Sequence, residues 1–199
     1  MTTFNLGFII GRFQHIHESH VKMIHTALDV CDRVILMVGS SQESGTERNP
    51  FNLYTRMNLI RKVFEHEIEE GCLLLAHTDD MTHEGDNSVA WGDFLIKKIN
   101  MWRAHYGIKY EVDCFIYGND EERSSWFRPE EIEKVSHIIL SRKSDTLSST
   151  SIRRLLVEDY QSSWKFNTPD AIHPFYKEIR EELMAIDYYK SQEELLCQK

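Results

Sequence analysis

Two histidines, His17 and His20, are the residues of this chain whose type and spacing best suit chemistry. They follow an apolar stretch, residues 6–10, where a first strand would lead into a first helix. In open α/β sheets, ligands bind beyond the carboxyl ends of the strands, where the free N–H groups of a helix favour anions. If the helix begins near Glu18, both imidazoles face one point and can donate hydrogen bonds to phosphate oxygens. The spacing therefore favours a phosphate site over a zinc site, which would need further ligands at short spacing.

A second candidate anion site lies about 130 residues further along the chain, in residues 147–154. Ser148, Ser149 and Thr150 are good N-cap residues, and apolar side chains follow them at the spacing of an amphipathic helix. Arg153 adds a guanidinium to this hydroxyl-rich helix start. A capped surface helix is the plain alternative for this run taken by itself.

Both runs resemble signatures of the nucleotidyltransferase superfamily, in its nicotinamide mononucleotide adenylyltransferase branch. Residues 11–20 are similar to the signature Gly-Arg-Phe-Gln-Pro-x-His-x-Gly-His, with His15 in place of the proline and Ser19 in place of the second glycine. Residues 147–153 are similar to the signature Ile-Ser-Ser-Thr-x-Ile-Arg, and two such runs in the family's order are hard to explain as coincidence. The resemblance implies that ATP and its phosphates are bound by Gly11, Arg12, Phe13, Ser148, Ser149 and Thr150, with His17, His20 and Arg153 as the catalytic residues.

Further local matches concern the end of the second strand and the start of the helix after it. The run Gly-Ser-Ser-Gln at residues 39–42, and the run Asn-Pro-Phe at residues 49–51 with Arg56 behind it, are similar to the same branch. This resemblance implies that Ser40, Asn49 and Arg56 bind substrate. A structural helix entry is the alternative for the Asn-Pro pair, because proline fits the first turn of a helix.

The branch also carries an Asp/Asn pair and a tryptophan that recognise a carboxamide and stack on a pyridine ring, which implies substrate-binding roles for Asp86, Asn87 and Trp91. An indole face favours a cationic ring, and an asparagine supplies both a donor and an acceptor to a primary amide. A core position is the alternative for Trp91.

Residues 117–127 loosely match a family loop that contacts adenine or phosphate. Arg123 is the candidate for its positive charge, with a solvated loop as the alternative.

Apolar runs alternate with helical patterns along the chain, which predicts right-handed βαβ units and a parallel sheet covered on both faces. Strands are predicted at residues 4–10, 33–38, 72–77, 112–117 and 137–140. Helices are predicted at residues 18–30, 53–66, 88–106, 129–134 and 150–158, with a charged helical stretch at 175–196. We therefore expect an α/β protein with a Rossmann-like doubly wound parallel sheet in residues 1–160. Residues 161–199 are predicted to be a C-terminal helical extension of the same domain.

Composition narrows the classes of partner. The chain has 199 residues, a formal net charge of −9 and an isoelectric point near 5.6, which argues against nucleic acid or an anionic membrane as the main partner. The four cysteines are widely spaced and form no Cys-x-x-Cys pair, so neither a zinc site nor a disulfide framework is indicated. No targeting segment or long apolar run is present, and we expect a cytoplasmic location. Assembly as a homo-oligomer is left open.

The implied reaction is transfer of AMP from ATP to nicotinamide mononucleotide, which yields NAD and pyrophosphate, with Mg²⁺ bridging the phosphates. The attacking phosphate is largely ionised near neutral pH, since its second pKa is about 6, so no general base is needed. Catalysis then consists of positioning and of neutralising charge in the transition state. The Nudix signature that some relatives carry is missing from the sequence, so the transferase activity alone is predicted.

Two groups of alternatives remain. Within the enzyme class, the acceptor could be nicotinic acid mononucleotide, phosphopantetheine or a polyol phosphate. Outside it, a non-catalytic nucleotide-sensing module stays open, because Ser19 replaces the glycine that lets the backbone approach the nucleotide closely.

Overall fold

The computed structural model describes residues 2–81, 83, 88–119, 123–141 and 147–197. Its strands form one parallel sheet in the order β3-β2-β1-β4-β5. The strands are β1 (Phe4–Gly11), β2 (Cys31–Val38), β3 (Leu73–His77), β4 (Cys114–Gly118) and β5 (Ser136–Leu140). The chain winds outward from β1 to β3 and then returns to the other side of β1, so the direction of winding switches between β1 and β4. This is where open parallel sheets place their ligands.

Helices accompany the strands as the alternating pattern predicts, and further helices follow at the C-terminal end. The helices are α1 (Glu18–Val30), α2 (Leu53–Val63), α3 (Glu65–Glu69), α4 (Val89–His105), α5 (Pro129–Ile132), α6 (Ser149–Val157), α7 (Gln161–Phe166), α8 (Tyr176–Met184) and α9 (Asp187–Cys197), with short 3₁₀ turns at Ser124–Trp126 and Asp170–Phe175. The predicted doubly wound α/β fold with C-terminal helices is therefore confirmed. Among the described residues, no helix is both long and apolar enough to cross a membrane.

The core lies on both faces of β1, the central strand. Side chains alternate across a strand with a period of two. Leu6, Phe8 and Ile10 accordingly belong to one buried apolar cluster, which includes the inner face of α4. Ile9 belongs to the other, which includes residues of α1, α6 and the C-terminal helices. A strand buried on both faces explains why the sequence reads as a nearly continuous apolar run.

Two helical segments differ from the sequence-based expectation by more than two residues. The helix predicted at residues 53–66 ends at Val63, because Phe64 leaves the helical conformation (φ −120°, ψ 36°) and its side chain is fully buried in the core. The helical stretch predicted at residues 175–196 is divided into α8 and α9 by residues 185 and 186, where Ile186 packs against the core. Phe64 is fully buried and Ile186 is partly buried, so in both places tertiary packing of one apolar side chain outweighs local helix propensity.

One glycine allows α4 to approach the 3₁₀ turn at Ser124–Trp126. A Cβ atom added to Gly92 would lie 1.9 Å from the carbonyl oxygen of Trp126, far inside van der Waals contact. This close approach places the aromatic rings of Trp91 and Trp126 edge to face, with centroids 6.5 Å apart.

We expect Gly92→Ala to lower the free energy of unfolding by about 2 kcal/mol or more, because the backbone of the turn must move to admit the methyl group. A loss of stability would be informative, because alanine in an unconstrained helix is about 1 kcal/mol more favourable than glycine and would raise the free energy of unfolding. Gly39→Ala is the control, because the nearest atom to its added Cβ would be 3.9 Å away. Urea denaturation measures both variants, and a Gly92→Ala protein as stable as the parent would contradict the close approach.

Candidate active site

A cavity of about 1060 Å³ opens at the carboxyl ends of β1, β2 and β4. Its wall includes Gly11, Gly39 and Gly118, which lie at or just beyond the ends of these strands. A cavity of this order holds a nucleotide-sized ligand. The residues predicted from the sequence that lie on its wall are Gly11, Arg12, Phe13, His20, Ser40, Trp91, Arg123, Ser148, Ser149, Thr150 and Arg153.

The two histidines lie at the start of α1, as their spacing predicted. His17 is the N-cap residue of the helix and His20 lies in its first turn. Their rings stack with centroids 3.8 Å apart, and the ring of Phe13 lies 4.8 Å from that of His20. His20 lies on the cavity wall, whereas His17 is buried outside the lining and supports the His20 ring by stacking. The helix start thus presents one imidazole to the cavity.

The start of α6 faces the loop that follows β1. Ser148 caps the helix by accepting a hydrogen bond from the N–H three residues on, at 3.1 Å. The hydroxyl of Ser149 donates to the carbonyl of His15 at 3.4 Å, and Nη1 of Arg153 donates to the carbonyl of Gln14 at 2.7 Å. The two predicted anion sites, residues 11–20 and 147–154, are called the anion-binding runs below. They are far apart in the sequence and meet at one cavity.

Arg56, on α2, has a different environment from the one predicted. Its side chain is 1% exposed and outside the cavity wall, and Nη1 donates to the carbonyls of Arg12 (2.9 Å) and Gly39 (2.8 Å). Nη2 donates to the carbonyl of Ser40 at 3.1 Å. Burial, reinforced by the charge of Arg12, lowers the pKa of Arg56 to about 10. Arg56 thus ties the loop after β1 to the loop after β2, and its contact with substrate stays a prediction.

Asn49 is also buried and outside the cavity wall. Its side-chain oxygen accepts a hydrogen bond from Nε2 of Gln14 at 3.3 Å, and the N–H of Phe51 donates to the side-chain oxygen of Gln14 at 2.9 Å. These contacts give the Asn-Pro-Phe run a structural role beside the loop after β1. Asp86 and Asn87, the predicted readers of the carboxamide, lie outside the described residues.

Arg123 and Trp91 form another part of the wall. Nη1 of Arg123 donates to the carbonyl of Ile10 at 2.7 Å, and its guanidinium lies over the rings of Trp126 (5.2 Å) and Tyr117 (5.8 Å). A residue held in this way does not belong to a solvated loop, the alternative raised from the sequence. Trp91 is both 6% exposed and on the cavity wall, so the packing and ligand-facing readings of this residue are compatible.

The cavity wall also includes residues that sequence reasoning missed. Helix α9 crosses the cavity with Tyr188, Tyr189 and Gln192, so the C-terminal segment contributes to the site itself. Asp80, just beyond β3, is a further lining residue. No motif in the sequence marks them, because their positions depend on how the last helix docks. In the described part of the chain, no group of three or more His, Cys, Asp and Glu side chains is arranged to hold a metal ion.

His15, which stands in place of a proline in the family signature, connects this loop to α7. The ring is fully buried, with Nδ1 2.7 Å from the carbonyl oxygen of Ile16, and the indole N–H of Trp164 donates to Nε2 at 3.1 Å. This pair of contacts requires a neutral imidazole protonated at Nδ1. Burial lowers the pKa of His15 to about 4. His15 is therefore an uncharged structural connector.

A pH dependence of stability follows from this burial. Between about pH 6.5 and pH 4 the unfolded chain binds a proton at His15 while the folded chain does not, so stability falls as the pH falls through this window. The expected slope from this one group is on the order of 1.4 kcal/mol per pH unit. His15→Gln removes the titration, and His25→Gln, at an exposed histidine, is the control. Urea denaturation at several pH values measures the slopes; equal slopes for the parent and His15→Gln would contradict the assignment.

Comparison with known proteins bears on this geometry. The model of the cytidylyltransferase-like family matches residues 8–155, a span that contains both anion-binding runs. The chain belongs to the cytidylyltransferase-like family. This membership agrees with the resemblance drawn from the two signatures, and the predicted assignment to the nucleotidyltransferase enzymes is confirmed.

Curated relatives align over nearly the whole chain. The nicotinamide-nucleotide adenylyltransferase of Thermococcus sibiricus is 32% identical over 95% of this chain and 94% of its own length. The protein of the same name from Thermococcus kodakarensis is 27% identical over 95% of this chain and 93% of its own length.

Among solved structures, a bifunctional NMN adenylyltransferase/ADP ribose pyrophosphatase from Francisella tularensis, complexed with AMP and a manganese ion, superimposes with a TM-score of 0.69. It is 18% identical, and the alignment covers 98% of this chain but 56% of that one. The present chain thus spans about half the length of that bifunctional protein. At this identity the likeness shows the fold alone.

Proposed function

We propose that the protein is a nicotinamide-nucleotide adenylyltransferase, which transfers AMP from ATP to nicotinamide mononucleotide and releases NAD and pyrophosphate. The observation that carries this proposal is the meeting of two helix starts, those of α1 and α6, at one cavity lined by arginines. Helix starts and guanidinium groups both bind phosphates. The names of the archaeal relatives, aligned over nearly the whole chain, support the same reaction.

In the proposed mechanism, the protein positions two phosphates and neutralises charge. The phosphate of the mononucleotide attacks the α-phosphorus of ATP in line. This phosphate is already ionised near neutral pH, since the second pKa of a phosphate monoester is about 6. His20 donates a hydrogen bond to an oxygen at the reacting centre, and His17 fixes the orientation of that ring. Arg12 and Arg153 hold the triphosphate together with the hydroxyl groups at the start of α6. Charge that develops on the pyrophosphate is thereby matched by groups already in place.

A divalent metal ion fits this reaction as part of the nucleotide substrate. We propose Mg²⁺, which prefers oxygen ligands and binds through substrate phosphates in many nucleotide sites. A wall rich in arginines and hydroxyl groups suits a triphosphate that carries its own metal. The cytoplasmic location is still a prediction, and assembly as a homo-oligomer is still open.

The nicotinamide end is proposed to lie beside Trp91 and Trp126, the two lining indoles that meet edge to face. An indole face favours a cationic pyridinium ring. The carboxylate of Asp80, also on the wall, suits a cationic ring and an uncharged carboxamide better than a carboxylate.

Ser19 is not among the lining residues, so the side chain that replaces the family glycine does not narrow the cavity. This observation favours catalysis over a purely sensing role.

The first test of the function is release of pyrophosphate from ATP and Mg²⁺ with nicotinamide mononucleotide, beside nicotinic acid mononucleotide and a control without acceptor. We expect release with the amide form, together with NAD. Release with the acid form alone would reassign the acceptor. ATP binding without release in any arm would support the sensing module instead.

His20→Ala tests the assignment of the first anion-binding run. We expect turnover to fall about 100-fold or more, because removal of one group that stabilises transition-state charge typically costs this much, while the thermal unfolding midpoint stays near that of the parent. His25→Ala is the matched control, since His25 lies on the same helix with an exposed side chain. Steady-state kinetics with NAD detection measures both variants. Turnover of His20→Ala close to that of the parent would overturn the assignment.

A further inference from the structure

The hydroxyl group of Tyr189 lies where three parts of the chain meet. It accepts a hydrogen bond from Nε of Arg153, on α6, at 2.8 Å. It also donates to the carbonyl oxygen of Glu47, in the loop between β2 and α2, at 2.6 Å. The side chain is 5% exposed, although α9, which carries it, is near the C-terminal end. One phenol thus joins the last helix to both sides of the cavity.

The phenol performs both tasks only while it is protonated. The phenol donates its proton in a hydrogen bond to the carbonyl oxygen of Glu47, and a lone pair on its oxygen accepts a hydrogen bond from the guanidinium of Arg153. Burial raises the pKa of Tyr189. The hydroxyl therefore stays neutral across the physiological range and keeps both hydrogen bonds.

The guanidinium of Arg153 has its orientation fixed by three described contacts. Nε donates to Tyr189, Nη1 to the carbonyl of Gln14 at 2.7 Å, and Nη2 to the hydroxyl of Thr150 at 3.2 Å. A guanidinium has five N–H groups in one plane, so these contacts define the plane and leave two donors for a ligand. The Tyr189 bond is the one that comes from outside the two anion-binding runs. Without it, the Nε side of the group loses its acceptor.

We propose that Tyr189 is a positioning residue for ATP: it holds the guanidinium of Arg153 in the orientation that binds the triphosphate, and it couples the docking of α9 to the integrity of that site. The inference rests on the proposed function only in taking ATP as a ligand of the cavity. It assigns the C-terminal helix a part in nucleotide binding that neither signature run contains. Tyr189 affects ATP binding indirectly, through Arg153, so its effect should disappear when Arg153 is replaced.

The test is calorimetric titration of the full-length protein with ATP and Mg²⁺, applied to the parent, Tyr189→Phe, Arg153→Met and the double variant. Tyr189→Phe keeps the ring and removes only the hydroxyl. We expect it to weaken ATP binding about tenfold, in the range for loss of one hydrogen bond to a charged group. Tyr176→Phe is the matched control. The hydroxyl of Tyr176, on α8, donates to the carboxylate of Asp159 at 2.6 Å, and Tyr176 is not part of the cavity wall. It should bind ATP within about twofold of the parent.

The double variant separates positioning from other roles. If Tyr189 acts through Arg153, adding Tyr189→Phe to Arg153→Met should change the dissociation constant by less than about twofold. A full tenfold loss in that background would overturn the proposal, as would ATP binding by Tyr189→Phe that matches the parent. Thermal unfolding confirms that each variant is folded, and Arg153→Lys replaces Arg153→Met if the latter is not.

Steady-state kinetics gives a second readout. Tyr189→Phe should raise KM for ATP or lower kcat while KM for nicotinamide mononucleotide stays within about twofold of the parent, whereas general loosening of the fold would raise both KM values. A parent protein that binds ATP but makes no NAD would contradict the proposed function, while the titrations would still decide the role of Tyr189.

Discussion

The carbonyl groups at the ends of β1 and β2 impose the constraint on which the rest of the site depends. The chain leaves the sheet there while still buried, and each carbonyl oxygen left without a donor would cost about 1–3 kcal/mol. Arginine side chains donate to several of these oxygens, and the N–H of Glu43 also donates to the carbonyl of Ser40. The contacts run from Arg123 to Ile10, from Arg56 to Arg12, Gly39 and Ser40, and from Arg153 to Gln14. Two of the three non-glycine residues with positive φ in the described part of the chain, Phe13 (φ 50°) and Ser40 (φ 48°), lie in these loops, and such conformations are typical of functional sites.

The parts of the fold that the sequence predicts are those fixed by local physics. Helix α1 begins at Glu18, as predicted from its position after the first apolar run, and the N-cap of α6 is Ser148, one of the residues that capping preferences indicated. The strands are apolar runs of ordinary length, so periodicity located all of them within a few residues. The meeting of the two anion-binding runs was also predictable, because both follow from strand ends and helix starts on one edge of a parallel sheet.

The remainder depends on tertiary contacts that no local pattern encodes. A guanidinium suits a phosphate or a backbone carbonyl equally well, so the sequence could not show that Arg56 serves carbonyls while Arg153 serves both the backbone and the cavity. The break at Phe64 reflects burial of one side chain in the core. Tyr189 reaches the site because α9 docks across the cavity, and its neighbours in the sequence give no sign of that.

The C-terminal segment determines which helix starts are available to a ligand. The carboxylate of Glu182, on α8, accepts hydrogen bonds from the N–H of Asn52 and the hydroxyl of Thr55 at the start of α2. A fixed anion there satisfies the positive end of that helix. The starts of α1 and α6 instead face the cavity through His20 and Ser149. Two of these three helix starts therefore face the cavity, and the third is occupied by the protein's own carboxylate. The Asn-Pro-Phe run, which precedes α2, lies behind the cavity wall, and the start of that helix already has the Glu182 carboxylate beside it.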